Sequence, residues 1–218
     1  MLLALVLAAA APAAAAAPVT AVDAERAFAA DARRLGQWTA FRKWADPTAV
    51  IFDPQAVWAQ DFLKERRDPP RSVEWASDHS WVSCDRRTAV NSGPYRAANR
   101  GSSGRFLTLW MRQPSGDWRW TVDGQTPART RFAVPTRVAT RRAACGNTAL
   151  RQRLIAASYR NPVNRTAAPG DSGYGRSADG TLLFNWTVSA DGTRRNRVQL
   201  WSGRRFELVL DEKTPPAP

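Results

Sequence analysis

Residues 104–124, GRFLTLWMRQPSGDWRWTVDG, are the stretch from which the fold can be read. Leu107, Leu109 and Met111 alternate with Phe106, Thr108 and Trp110, the period of two that a β-strand imposes by pointing successive side chains to opposite faces. Both sets are bulky, so both faces of this strand need cover. Pro114-Ser115-Gly116-Asp117 is turn chemistry and Trp118–Asp123 resumes the strand pattern, which makes the pair an antiparallel hairpin. Upstream, Val73–Cys84 and Ala89–Tyr95 repeat the arrangement around the turn Asp85-Arg86-Arg87. Four strands are therefore expected between Ser72 and Gly124.

Outward from the sheet the period changes. Thr20 and Asp23 are spaced as a capping box, and Phe28, Ala32 and Leu35 follow at helical spacing. Gly36 interrupts, Trp38, Phe41 and Ala45 continue a similar face, and Asp46-Pro47 closes a kinked helix or two short ones. A short strand, Ala49–Phe52, precedes Asp53-Pro54, and a second helix is expected over Gln55–Glu65 before Asp68-Pro69-Pro70. On the C-terminal side an Arg-rich segment, Gln125–Arg142, leads to a short helix, Thr148–Ser158, and a Gly-rich loop, Asp171–Gly175, expected to be exposed. Leu182, Phe184, Trp186 and Val188, then Val198 and Leu200, then Phe206, Leu208 and Leu210 alternate around the turns Asp191-Gly192 and Ser202-Gly203. They form a three-stranded meander, too small to stand alone and expected to pack on the first domain. Leading helices followed by a long antiparallel sheet define an α+β class.

The 218 residues suffice for one domain with an appendage, and ten Trp supply a core. With two Cys and one His the chain offers no standard structural zinc site, it has no Walker or dinucleotide glycine motif, and no metal or cofactor is expected. Residues 1–17, MLLALVLAAAAPAAAAA, read as a secretory signal cleaved between Ala14 and Ala21. The run is too Ala-rich, and broken by Pro12, to anchor well. The mature chain is expected to be periplasmic or secreted, without a transmembrane segment. In that oxidising setting Cys84 and Cys145 are expected to pair as a disulfide staple.

The net charge is +13, and residues 125–218 hold half of the 32 basic residues but six of the 19 acidic ones. Export argues against a nucleic-acid partner, and the basic half instead suits an acidic envelope surface of anionic lipid or polymer.

The runs SWVSCDRRTAVNSGPY, residues 80–95, and GRFLTLWMRQPSGDWRWTVDG resemble the SnoaL-like and nuclear transport factor 2-like superfamily, in particular exported bacterial members of unassigned function. The resemblance spans residues 20–124, strand and turn signatures without catalytic content. It implies a cone-shaped α+β fold, helices packed on a curved antiparallel sheet around a pocket, here followed by the C-terminal meander, and a homodimer formed through the sheet. The expected organisation is a signal peptide at 1–17, the cone at 18–124, an Arg-rich and Gly-rich connection at 125–180, the meander at 181–212 and a disordered tail at 213–218.

Catalytic members of the superfamily use a pocket acid with Tyr or His donors, and Asp53, His79 and Tyr95 stand in the regions this implies. Asp53 equally suits a helix N-cap ahead of Pro54. His79, the only imidazole, shares strand parity with Trp75 and Trp81 and equally suits a structural role. Trp58, Trp110 and Trp120, with Trp75, Trp81 and Trp118, are candidates for lining a cavity for an apolar ligand, or for plain core. The leading expectation is a pocket that binds a small apolar ligand or partner without chemistry. The alternatives are proton transfer or hydrolysis in that pocket and an envelope interaction protein.

Overall fold

A computed structural model describes residues 18–53, 55–97, 101–129, 131–158 and 172–216, and for Asp53, Ala157 and Ser158 the backbone alone. The expected signal peptide lies outside the described residues. Among them, no helix is long and apolar enough to cross a membrane.

The chain is α+β. The capping box forms: Asp23 N donates to Thr20 Oγ1 at 3.1 Å and Thr20 N to Asp23 Oδ2 at 3.2 Å, starting α1 (Ala21–Leu35). Ala21, Ala24, Phe28 and Ala32 make its buried stripe, and Glu25 is buried among them at 1% exposure. Gly36, at φ 106°, breaks the helix, and α2 (Gln37–Trp44) follows. The exposed amides that open α2 are capped from a distance by Asp68, which accepts from Trp38 N at 2.5 Å and Thr39 N at 3.1 Å.

Next come β1 (Ala45–Asp53), β2 (Gln55–Trp58), the short α3 (Ala59–Leu63), β3 (Glu74–Trp75), β4 (His79–Val82), β5 (Thr88–Ala97), β6 (Ser102–Arg112), β7 (Trp118–Pro127) and β8 (Ala139–Arg142). They form one sheet ordered β2-β1-β7-β6-β5-β4-β8, with β3 also on β5. Pairing is antiparallel except for β1 with β7 and β4 with β8. The helix expected over Gln55–Glu65 shrinks to α3, because Val57 and Trp58 instead pair back on Ile51 and Val50 as a hairpin.

The single strand expected over Val73–Cys84 is split. Between β3 and β4 the chain passes over Gly93, with Ala76 N and Asp78 N bonded to Pro94 O and Ser92 O. A Cβ at Gly93 would sit 2.0 Å from Ala76 O. Gly93→Ala is accordingly expected to cost roughly 2 kcal/mol through backbone displacement, read as a lower urea midpoint.

After α4 (Thr148–Ser158), a second sheet is built from β9 (Ser172–Arg176), β10 (Leu182–Val188), β11 (Arg194–Trp201) and β12 (Phe206–Thr214), ordered β12-β11-β10-β9. It has four strands rather than the expected three, because Ser172–Arg176 pairs with β10 and is not loop. Trp186 lies across Gly173, where a Cβ would stand 1.9 Å from the indole. At the other end β12 runs to Thr214, two residues into the tail expected to be disordered.

Two apolar clusters result. One fills the space between the helices and the inner face of the long sheet, through Phe28, Phe41, Trp75, Phe106, Trp110 and Trp120. The other joins the outer face, through Val90, Leu107, Leu109 and Val122, to Leu182, Phe184, Trp186, Val198 and Trp201 of the second sheet. The outer face of the long sheet is thus covered by the chain's own second sheet. Cys84 and Cys145 are bonded, with Cα atoms 5.3 Å apart, and Arg142 donates to Cys84 O. Arg141 pairs with Glu207 of β12, so part of the Arg-rich segment serves to join the two sheets.

Candidate functional site

The site is created by an irregularity in β7. Trp110 pairs with Trp120 while the preceding Leu109 pairs with Val122, so Thr121 is an extra residue, a β-bulge. Strict alternation from Trp120 would send Val122 inward and Asp123 outward. The bulge reverses this: Val122 joins the outer cluster, and Asp123 comes to line a cavity on the inner side.

That cavity has a volume of about 160 Å³ and lies between α2, the segment after α3 and the sheet. Trp38, Phe41, Phe62, Trp75 and Phe106 supply aromatic wall, with Ile51 and Phe52 beside them. The polar lining includes Asp123, Tyr95, Gln37, Gln125, Arg66 and Arg71. Tyr95 is buried, which raises its hydroxyl pKa above the ordinary value.

Behind the cavity a polar row crosses the inner face in direct register: Ser80, Asn91, Thr108 and Asp123. Ser80 Oγ donates to Asn91 Oδ1 at 2.8 Å and Thr108 Oγ1 to Asp123 Oδ2 at 2.9 Å. Glu25 descends onto this row from α1, accepting from Trp75 Nε1 at 2.8 Å, Trp110 Nε1 at 2.6 Å and Asn91 Nδ2 at 3.2 Å. Burial pushes the Glu25 carboxyl up to about 7, against the four hydrogen bonds from Trp110, Trp75, Asn91 and Thr108. Burial and then the neighbouring Glu25 charge push Asp123 up to about 8, against Thr108 and the more distant Arg194.

Arg194 reaches the site from the second sheet. Its guanidinium lies 4.2 Å from the Phe52 ring centroid and donates to Gln125 O at 2.7 Å, behind Gly124. Burial lowers its pKa to about 10, opposed by Glu212 and Asp123.

Of the six residues picked from sequence, Tyr95 lines the cavity. His79 faces the other side of the sheet, stacked on Trp81 with ring centroids 5.6 Å apart and its Nδ1 2.7 Å from Asp78 Oδ1. Trp58 packs against the outer cluster. Trp110 and Trp120 are fully buried inner core, Trp110 as a donor to Glu25. Asp53 ends β1 opposite Gln55, and its side chain is outside the described residues. The structure therefore does not bring His79 together with Tyr95. The carboxyls it does bring together, Glu25 and Asp123, were not among the candidates. Among the described residues no group of three or more His, Cys, Asp or Glu side chains could hold a metal ion.

No family model matches the chain, and no curated protein matches it. Among solved structures it is similar to a protein of unknown function from the DUF3225 family of Pectobacterium atrosepticum. The identity is 14% and the TM-score 0.37, over 49% of this chain and 88% of that one. It is also similar to a cystatin-like fold protein from Burkholderia xenovorans at 16% identity and TM-score 0.35, over 49% and 84%.

Proposed function

We propose that the chain is a binding protein for a small apolar ligand of single-ring size, held in the aromatic cavity and oriented by a hydrogen bond from protonated Asp123. The observation that carries this reading is one carboxyl, Asp123, turned by the β7 bulge to line a cavity whose aromatic wall of Trp38, Phe41, Phe62, Trp75 and Phe106 is shared with the polar side chains of Gln37, Gln125, Arg66 and Arg71. A dry cavity of about 150 Å³ accepts a benzene-sized guest, so about 160 Å³ suits one six-membered ring. A neutral carboxylic acid donates where a carboxylate cannot, so the ligand carries a carbonyl or hydroxyl acceptor. Membership of the nuclear transport factor 2-like superfamily fits the helices-on-curved-sheet arrangement. Export fits the leader-like residues 1–17 and the bonded Cys84 and Cys145.

A second reading is proton transfer, favoured by the raised pKa of Asp123, which leaves it able to give and take a proton near neutral pH. One experiment addresses both. Cyclohexanone, added at pH 6, is expected to shift the Trp75 indole N–H in NMR spectra with a Kd about tenfold below that of cyclohexane, the worth of one neutral hydrogen bond. In Asp123→Leu the two affinities become equal. No shift of Trp75, or equal affinities in the native chain, would remove the binding reading. Deuterium uptake at the carbons flanking the ketone, followed in the same samples, supports proton transfer if it exceeds the buffer rate and refutes it otherwise.

A further inference from the structure

The break between β3 and β4 leaves a polar group that the fold does not use. Ala76 N and Asp78 N are tied to β5 through Pro94 O and Ser92 O, which fixes Ser77 between them. Ser77 is 8% exposed, and its Oγ has no hydrogen-bond partner among the described residues. A buried hydroxyl without a partner is costly, and it gains most from a ligand that brings an acceptor.

Ser77 lines a second cavity, of about 180 Å³, between α1 and residues 134–138. The helix contributes Arg26, Ala29 and Arg33, which recur three and four residues apart and so share one face. The other wall is Val134, Pro135 and Val138, the stretch leading into β8, whose Ala139 N is bonded to Asp78 O. Val134 is 72% exposed, an apolar side chain that the protein itself leaves uncovered.

The charges favour an anion. Arg33 makes no ion pair among the described residues, and Arg26 has one exposed partner, Asp23 at 3.4 Å. Residues 125–142 contain no acidic side chain, and Arg137, exposed, stands between Val134 and Val138. Glu25, the one carboxyl in the lining, is committed elsewhere: its Oε1 accepts from Trp75 Nε1, and its Oε2 from Trp110 Nε1 and Asn91 Nδ2. Burial also raises its pKa to about 7, so at pH 6 it adds little negative charge.

We infer that this second cavity is a binding site for a small organic carboxylate, its anionic end taken by Arg33, Arg26 and the Ser77 hydroxyl and its hydrocarbon end by Ala29, Val134, Pro135 and Val138. Guanidinium groups bind carboxylate through paired N–H donors, and Ser77 adds an O–H donor. Four apolar side chains offer nothing to an inorganic anion, which sets the ligand apart from phosphate or sulfate. A cavity of about 150 Å³ takes benzene, so about 180 Å³ suits about seven non-hydrogen atoms. The site does not depend on the reading of the aromatic cavity, with which it shares one lining side chain, Trp75.

The test is a methyl NMR titration of the full chain at pH 6 and low salt, read at Val134 and Val138, which line this cavity alone. The probes are pentanoate, its neutral isostere pentanamide, and acetate. Pentanoate should move these methyls with a Kd at least about tenfold below that of pentanamide, for the charged hydrogen bonds, and at least about tenfold below that of acetate, for the buried methylenes. Arg33→Gln should weaken pentanoate about tenfold and pentanamide less than about twofold. Ser77→Ala should also weaken pentanoate about tenfold, while its urea midpoint stays unchanged or rises, because that hydroxyl serves nothing in the fold.

Methyls that stay still, equal affinities for pentanoate and pentanamide, or a pentanoate affinity untouched by either substitution would overturn the proposal. A lowered urea midpoint in Ser77→Ala would overturn it too, by assigning the hydroxyl to the fold. Loss of the cyclohexanone response with the pentanoate response intact removes the reading of the aromatic cavity alone, and the converse removes this one alone.

Discussion

Urea unfolding should show the protein several kcal/mol less stable at pH 9 than at pH 5. The sign follows from the two inner carboxyls. Both are harder to ionise folded than unfolded, so between their ordinary values near 4 and their folded values of about 7 and 8 the native state binds more protons. Stability therefore falls as pH rises through that window. Below it the penalty is absent, and above it the penalty is complete.

For Glu25 the displacement from 4.5 to about 7 is worth about 3 kcal/mol. That is a large part of the 5–15 kcal/mol typical of a domain. The surface carboxylates act in the opposite range. Asp68, Asp78 and Asp179, for which hydrogen bonds outweigh burial, sit below their ordinary values and weaken the fold only under stronger acid. Asp123→Asn should flatten the alkaline fall and make the variant more stable than the native protein at pH 9, while abolishing any proton transfer. An equal midpoint at pH 5 and pH 9 would mean that these carboxyls ionise as freely folded as unfolded.

Replacing both Cys84 and Cys145 by Ser should remove about 4 kcal/mol, the chain-entropy value for a closure spanning 61 residues. For a chain of this length that is a drop of about 8–16 °C in Tm. The reason for so large an effect is where the bond lies. It ties the β4–β5 turn to the segment after β8, whose Ala143 N and Ala144 N bond to Val82 O and Trp201 O. The staple thus closes the point at which the two sheets exchange hydrogen bonds. Calorimetry of the oxidised and doubly substituted chains measures it, and Tm values within 3 °C of each other would refute it.

The long sheet was legible because residues 104–124 alternate cleanly, and α1 because Thr20 and Asp23 announce its start. Cys84 and Cys145 were legible by elimination, being the only pair. What stayed hidden depends on partners. Trp118, Trp120 and Val122 look like unbroken alternation; only the pairing of β6 with β7 reveals Thr121 as the extra residue and turns Asp123 inward. His79 was assigned by parity with Trp75 across the break over Gly93, and that break puts the two residues on opposite faces. Glu25 did leave a signal. It stands four residues after Ala21 and three before Phe28, a charge in the middle of an apolar helical stripe, and such a charge is buried with partners or not buried at all.

The second sheet has a consequence for how this molecule behaves on dilution. An apolar sheet face covered by a second subunit loses that cover when the subunits part. Here Leu182, Phe184, Trp186 and Trp201 cover Val90, Leu107 and Val122 from within the same chain. Their effective concentration is set by a covalent tether rather than by the number of molecules in solution. The shelter of that face should accordingly be as complete in a dilute sample as in a concentrated one.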